Sequence, residues 1–155
     1  MKFKNLVIVI SLIFLFGCGF KVVDQNYFKE YKFVNTGITG EKRVVYLLRN
    51  KFKSINKEAP NSIQLKLDTK KTRQIKEKNI QNEITKYEIT ISAEVSFIII
   101  ENNISGVFTV SRSGDYSVSD KYSGTLNNEK KLIKNIINDI SDQILKNLKI
   151  KLDEL

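Results

Sequence analysis

The run from Ile84 to Ile100 constrains the fold more than any other stretch of the chain. Thr85, Tyr87, Ile89, Ile91, Ala93, Val95, Phe97 and Ile99 fall on one side of an extended backbone, and Lys86, Glu88, Thr90, Ser92, Glu94 and Ser96 on the other. Side chains alternate between the faces of a strand, so this pattern predicts a long strand with one buried and one wet face. Towards its end Ile98 and Ile100 turn the second face apolar as well, which requires either a cover on both faces there or an exposed partner surface. Glu101-Asn102-Asn103 reads as a turn, because asparagine tolerates the left-handed backbone of tight hairpins. Ile104, Gly106, Phe108 and Val110 follow as the return strand, with Val107 on its other face.

Upstream, Ser62 to Thr72 alternates Ile63, Leu65 and Leu67 against Gln64, Lys66 and Asp68, the signature of another one-sided strand. Thr69 to Gln81 is the most basic stretch, with Lys70, Lys71, Arg73, Lys76 and Lys78 against Glu77. It reads as a loop or as the extended tip of a long hairpin, and as either a solvated tip or a polyanion contact. Tyr31, Phe33 and Val34 form a short first strand ending at Thr36-Gly37.

From Thr39 or Gly40 the period becomes helical. Val44, Leu47, Leu48, Phe52 and Ile55 recur at three- and four-residue spacing, Thr39 is placed as the cap, and Glu41 suits the positive end of the helix. Asn56 to Asn61, holding the single proline Pro60, ends it. Ser111 to Leu126 is hydroxyl-rich, and its Tyr116 and Tyr122 read as cover for the core edge or as interface anchors. Asn127 is placed as the N-cap of a final helix, with Glu129 in its first turn and a stripe of Ile133, Ile136, Ile137, Ile140, Ile144, Leu145 and Leu148.

Two amphipathic helices need one apolar sheet face to bury against. The expected fold is therefore an α+β two-layer sandwich in the order β-α-β-β-β-α, with both helices on one face of a roughly four-stranded sheet and the other face mostly polar.

The start of the chain places this domain in the cell. Lys2 and Lys4 precede an apolar run of about eleven residues, Leu6 to Phe16, closed by Leu15-Phe16-Gly17-Cys18. That run is short of the ~20 residues a membrane-spanning helix needs; it reads as a secretory signal ending in a lipobox, with an ordinary signal peptide as the alternative. The expected organisation is a lipoprotein signal peptide over 1–17, a lipid-anchored tether over 18–30 and a single α+β domain over 31–155. The thiol of Cys18 is the expected site of lipidation, carrying diacylglycerol while its freed amine takes a further acyl chain. At ~0.8 kcal/mol per buried methylene, two or three chains anchor effectively permanently.

Inventory narrows the chemistry. Cys18 is the only cysteine and histidine is absent, so zinc sites and Cys or His catalysis are excluded and no metal or cofactor is expected. Ser111, Ser113 and Ser117 are available, but no Ser-x-x-Lys falls where a strand gives way to a helix; no catalytic residue is assigned and the protein is not expected to be an enzyme. The formal charge of +9 falls to about +7 once Lys2 and Lys4 leave with the signal. On a domain tethered at an envelope membrane, such charge meets anionic lipid, lipopolysaccharide or an acidic protein, or serves solubility alone; nucleic acid is poorly placed as a partner.

Cys18-Gly19-Phe20 after the lipobox, the order of elements, and the block from Arg112 through Tyr116 and Tyr122 into the Ile-rich terminal helix together resemble LptE, the LPS-assembly lipoproteins of the Gram-negative outer membrane. The resemblance covers essentially the whole mature chain, with Val22-Val23 standing where many members carry proline or another basic residue. It implies an outer-membrane lipoprotein that sits as a plug in the lumen of the barrel LptD, assists that barrel's assembly and contacts lipopolysaccharide on its way to the outer leaflet. Gly19, in place of the aspartate that retains enteric lipoproteins at the inner membrane, fits the outer-membrane location. On this reading Lys70, Lys71, Arg73, Arg112 and Lys121 are the expected lipopolysaccharide-binding residues, pairing with the phosphates of lipid A. The competing expectation is another envelope binding module, such as an accessory subunit of a lipid transporter or a secretion pilot.

Overall fold

The structure is a computed structural model that describes residues 31–53 and 59–154. The signal peptide, the Cys18 lipidation site and the tether lie outside the described residues, as do Ile55 and the stop at Asn56-Lys57-Glu58. Six elements follow one another: strand β1 (Tyr31–Thr39), helix α1 (Lys42–Lys53), strands β2 (Asn61–Lys78), β3 (Ile84–Ile99) and β4 (Ile104–Ser117), and helix α2 (Tyr122–Asp153). They form an α+β sandwich with the expected order β-α-β-β-β-α, in which the strands lie side by side as β1-β2-β3-β4.

Connection lengths explain this arrangement. β1 and β2 run parallel, and the crossover that parallel neighbours require is supplied by α1. β2, β3 and β4 are antiparallel and need only short turns. Asn82 and Asn103 take positive φ in the two turns, at 64° and 56°, as asparagine tolerates there. β1 carries an irregularity between Val34 and Gly37, where Asn35 also takes a positive φ of 49°.

Gly40 links β1 to α1 at φ 126°. A Cβ there would stand 2.1 Å from the Thr69 Oγ1 and 2.4 Å from its carbonyl oxygen, so only glycine fits. Thr39 does not cap α1: it ends β1, and its hydroxyl donates to the Asp68 carboxylate at 2.8 Å. The Thr69 hydroxyl donates in turn to the Thr39 carbonyl at 2.6 Å. The first turn of α1 is instead closed by the Val45 N–H on the Glu41 carbonyl.

One face of the sheet, the inner face, holds the core. Ile63, Leu65 and Leu67 of β2 and Ile89, Ile91, Ala93 and Val95 of β3 are fully buried against Val44, Leu48 and Phe52 of α1 and Ile133, Ile137, Ile140, Ile144 and Leu148 of α2. Phe33 meets Phe52 edge-on at 5.9 Å, tying the first strand to the last turn of α1. The outer face bears the alternate residues. At its upper end, towards the β2–β3 turn, it is a field of hydroxyls, amides and charges, with Thr90 and Ser113 sharing a hydrogen bond across the strands at 2.8 Å.

Of the two readings of the basic stretch, the structure has the extended arm of a long hairpin: β2 runs on to Lys78, paired with Ile84–Ala93 of β3 with irregularities between Ile75 and Lys78; its side chains carry no apolar alternation because its backbone, not apolar burial, supplies the pairing. Three boundaries differ from expectation. β1 runs past Thr36-Gly37 to Thr39. β4 likewise continues through the hydroxyl-rich segment to Ser117. α2 begins at Tyr122 rather than after Asn127, and Lys121 holds the N-cap position without a side-chain cap. Asn127 is therefore inside the helix. The local polar bonds come from Thr125, whose Oγ1 accepts the Ser119 N–H at 2.9 Å, and from Asn128, whose amide donates to the Ser117 carbonyl at 3.0 Å.

Candidate functional site

The five expected contact residues do not form one cationic patch. Strand alternation sends Lys71 and Arg73 to the inner face, where they pair across the ladder with the buried Ile91 and Ile89. Lys70 and Thr72 point the other way. Beyond Thr69 the inner face of β2 thus changes from aliphatic to cationic, and the two helix starts supply the counter-charge.

Lys71 Nζ lies 2.6 Å from Glu41 Oε2, just ahead of α1, and 3.8 Å from Glu129 Oε1, two turns into α2. Arg73 Nη1 lies 3.9 Å from Glu129 Oε2. The Lys71 and Glu129 side chains are each 19% exposed and that of Arg73 51%, so the lysine and the carboxylate are held at the protein's edge while the guanidinium reaches into water. Arg73 also sits 4.7 Å over the ring of Tyr87, in cation–π contact, and Tyr87 stacks on Tyr116 at 5.7 Å. The guanidinium pKa is raised, first by the Tyr116 hydroxyl beside it and then, against the cost of burial, by Glu129.

These residues wall a cleft of about 490 Å³ between the upper end of the sheet and the start of α2, lined by Arg73, Tyr87, Tyr116, Tyr122, Thr125 and Glu129 among others. The two tyrosines singled out in the sequence divide here. Tyr116 is buried in the core edge, and Tyr122 stands 78% exposed at the rim. Among the described residues the Tyr116 hydroxyl has no hydrogen-bond partner of good geometry, and its pKa is raised chiefly by burial, with Arg73 opposing.

The remaining expected residues lie apart from this cluster. Lys70 is exposed on the outer face, in the row that pairs it with Ser92 and continues to Ser111. Arg112 donates to its neighbour's Ser111 carbonyl at 2.9 Å and to Gln143 Oε1 at 2.8 Å, fastening the middle of β4 to α2. Lys121 is exposed at the helix start, its carbonyl accepting the N–H groups of Gly124 and Thr125. Further along the hairpin, Lys76 pairs with Glu88 at 2.6 Å and Lys86 with Glu77 at 2.7 Å, while the Lys78 amine donates to Asn82 Oδ1 at 2.8 Å. Each partner carboxylate is held below its usual range, Glu88 first by the hydrogen bond from Lys76 and Glu77 first by that from Lys86.

The counter-charges Glu41 and Glu129 and the platform Tyr87 are the members that sequence reading did not place in the site. Glu41 and Glu129 were legible only as favourable charges near helix starts. Their convergence on one lysine depends on the β2 extension, which carries no apolar pattern. What the arrangement does chemically is pin the hairpin to both helices, leave half of one guanidinium open above a tyrosine-walled recess, and keep Lys70 and Lys121 in solvent.

No family model and no curated relative matches the chain. Solved structures share its fold. A Caulobacter crescentus protein termed a lipoprotein superposes with a TM-score of 0.62 at 16% identity, over 84% of this chain and 95% of that one. Rare lipoprotein B from Shewanella oneidensis gives 0.61 at 15% identity, over 79% of this chain and 98% of its own. Lipoprotein B from Nitrosomonas europaea gives 0.57 at 13% identity, over 88% and 94%. The chain thus has the fold of proteins named as bacterial lipoproteins, over nearly the whole of their length.

Proposed function

We propose that this protein is a lipid-anchored outer-membrane lipoprotein that acts, without catalysis, as plug and assembly factor of the LPS-export barrel LptD and contacts lipopolysaccharide during its insertion into the outer leaflet. The observation that carries this reading is the shared fold, almost end to end with three proteins named as lipoproteins, on a chain whose leader over 1–17 is followed by Cys18 in lipobox context. The upper outer face supports it. A sheet surface of hydroxyls and paired charges suits the wet, polar lumen of a large barrel.

The ion-pair geometry refines which cations serve. Lys70, Lys121 and the open side of Arg73 are available to phosphate groups, whereas Lys71 and Arg112 hold the fold together. That engagement of expected contact residues also favours a second reading, an envelope lipoprotein whose partner is another protein complex, such as a lipid transporter or a secretion system. The test is depletion of the protein in its own cells. On the first reading, newly made lipopolysaccharide accumulates inside the outer leaflet and the barrel fails to mature; normal export in a deletion strain lacking a duplicate gene would overturn it.

A further inference from the structure

The outer face is not polar throughout. Cross-strand rows near the β3–β4 turn read Lys32, Ser62 and Ile100; Val34, Gln64, Ile98 and Ser105; and Lys66, Ser96 and Val107. Every row of β2, β3 and β4 above them on this face, from Asp68, Glu94 and Thr109 to Gln74, Glu88 and Asp115, is polar. Ile98 is 38%, Ile100 51% and Val107 64% exposed. Among the described residues nothing covers the second apolar face foreseen at the end of β3, and it is confined to the β3–β4 corner of the sheet.

The chain enters the fold at the same end of the sheet, on the opposite edge strand β1. Tyr31 pairs with Asn61, one row beyond Lys32 and Ser62, so the residues leading from Cys18 reach the sheet at this end. About a dozen residues separate Cys18 from Tyr31; even fully extended they span at most ~45 Å. The far end of β3, at Ile84, stands about 50 Å further along the sheet at ~3.3 Å per residue. Both signs border this patch: Lys32 and Lys66 stand in its rows, Glu101 accepts the Ser62 N–H at 2.7 Å, and Asp68 and Glu94 fill the next row. The positive excess of the mature chain as a whole opposes a second copy here, and the anchor arriving at this end points to its own bilayer.

We infer that Ile98, Ile100 and Val107 form a membrane-contact corner of the lipoprotein before a barrel receives it: they seat in the headgroup region of the bilayer that holds the acyl anchor, with Lys32 and Lys66 towards anionic headgroups, and so stand the undocked domain with its β2–β3 turn pointing away from that membrane. The inference rests on the reading that Cys18 is lipidated. A few aliphatic side chains with basic neighbours bind a bilayer weakly by themselves, but the anchor makes their encounter local. The second contact sets orientation rather than affinity.

With Cys18 acylated, an introduced thiol is unique for labelling. The full-length lipoprotein bearing Val107→Cys, or Thr72→Cys on the polar part of the same face, is purified, coupled to an environment-sensitive fluorophore and reconstituted in vesicles of phosphatidylethanolamine and phosphatidylglycerol containing a spin-labelled quencher lipid. The expected result is that both proteins float with the vesicles and that the label at 107 is quenched several-fold more than the label at 72. Ile98→Ser with Ile100→Ser should bring quenching at 107 down to that at 72 without loss of flotation. Equal quenching at the two positions with flotation intact overturns the membrane-contact corner and leaves the anchor standing; failure to float overturns both. Quenching at 107 that survives the double serine variant, or disulfide-linked dimers through an unlabelled Val107→Cys, also overturns it.

Discussion

Replacing Glu129 with glutamine separates the structural from the binding role of the basic hairpin. The carboxylate is the hub between Lys71 at 3.8 Å and Arg73 at 3.9 Å. At an effective dielectric near 20, a unit pair at about 4 Å gains roughly 4 kcal/mol gross, most of which desolvation and side-chain ordering return, so that exposed pairs net only about 0.2–1 kcal/mol. Two contacts on a carboxylate 19% exposed place Glu129→Gln at a cost of about 1–2 kcal/mol, or a fall in Tm of roughly 4–8 °C for a domain of this size. The substitution keeps the shape and removes the charge. Because Lys71 retains Glu41 at 2.6 Å, most of the loss should fall on Arg73.

Urea denaturation of the wild type, Glu129→Gln, Arg73→Gln and the double variant forms the cycle that reads this. The cost of removing Arg73 should shrink by about half or more once Glu129 is neutral, and the coupling should weaken in molar salt, where the Debye length is about 3 Å. The same variant should bind phosphorylated lipid A analogues more tightly than wild type, since the guanidinium loses its competing carboxylate. Independent effects of Arg73 and Glu129 on stability, or unchanged stability in Glu129→Gln, would refute the hub.

Gly40→Ala should be among the most damaging single changes outside the core, since the positive φ and the approach to Thr69 together cost about 2–5 kcal/mol; Thr69→Ala should relieve only part of that loss in the denaturation midpoint, because the Thr69 carbonyl remains in place. The hairpin tip should loosen in acid. Glu88 and Glu77 have folded pKa values depressed by Lys76 and Lys86, so their contribution is present above the ordinary glutamate range and is lost as pH falls through the lowered folded values. Amide exchange at pH 6 should therefore protect residues 74–88 better than at pH 3, relative to the core of β3. Equal relative protection at both would remove the pairs as a source of order.

The sandwich was legible because its apolar residues keep strict periods. Odd positions from Ile89 to Ile99 and the stripe from Ile133 to Leu148 are buried as their spacing requires. Where backbone pairing alone extends an element, the pattern vanishes. Lys71 and Arg73 stand on the inner face opposite Ile91 and Ile89, and only their aliphatic stems and the counter-charges from the helices let them do so. The start of α2 differs from the spacing for a related reason: Asn127 is a favourable capping residue in isolation, but the Thr125 hydroxyl, in the first turn, bonds both the N–H and the carbonyl of Ser119 six residues earlier, so the helix starts without it. The candidate site inherits both effects. Its cations were visible in the sequence, and their division into fastened Lys71 and Arg112 and open Lys70 and Lys121 was not, because that division is set by strand register and, for Lys121, by where α2 begins.

The most direct measurement of the proposed role is site-specific photo-cross-linking in intact envelopes, with the probe placed at Ser92 and Ser111, adjacent on the polar upper part of the outer face. The expected product at both positions is an adduct with one large outer-membrane barrel, identified by mass spectrometry as the LPS exporter. Adducts with an inner-membrane or secretion component, and none with that barrel, would contradict it.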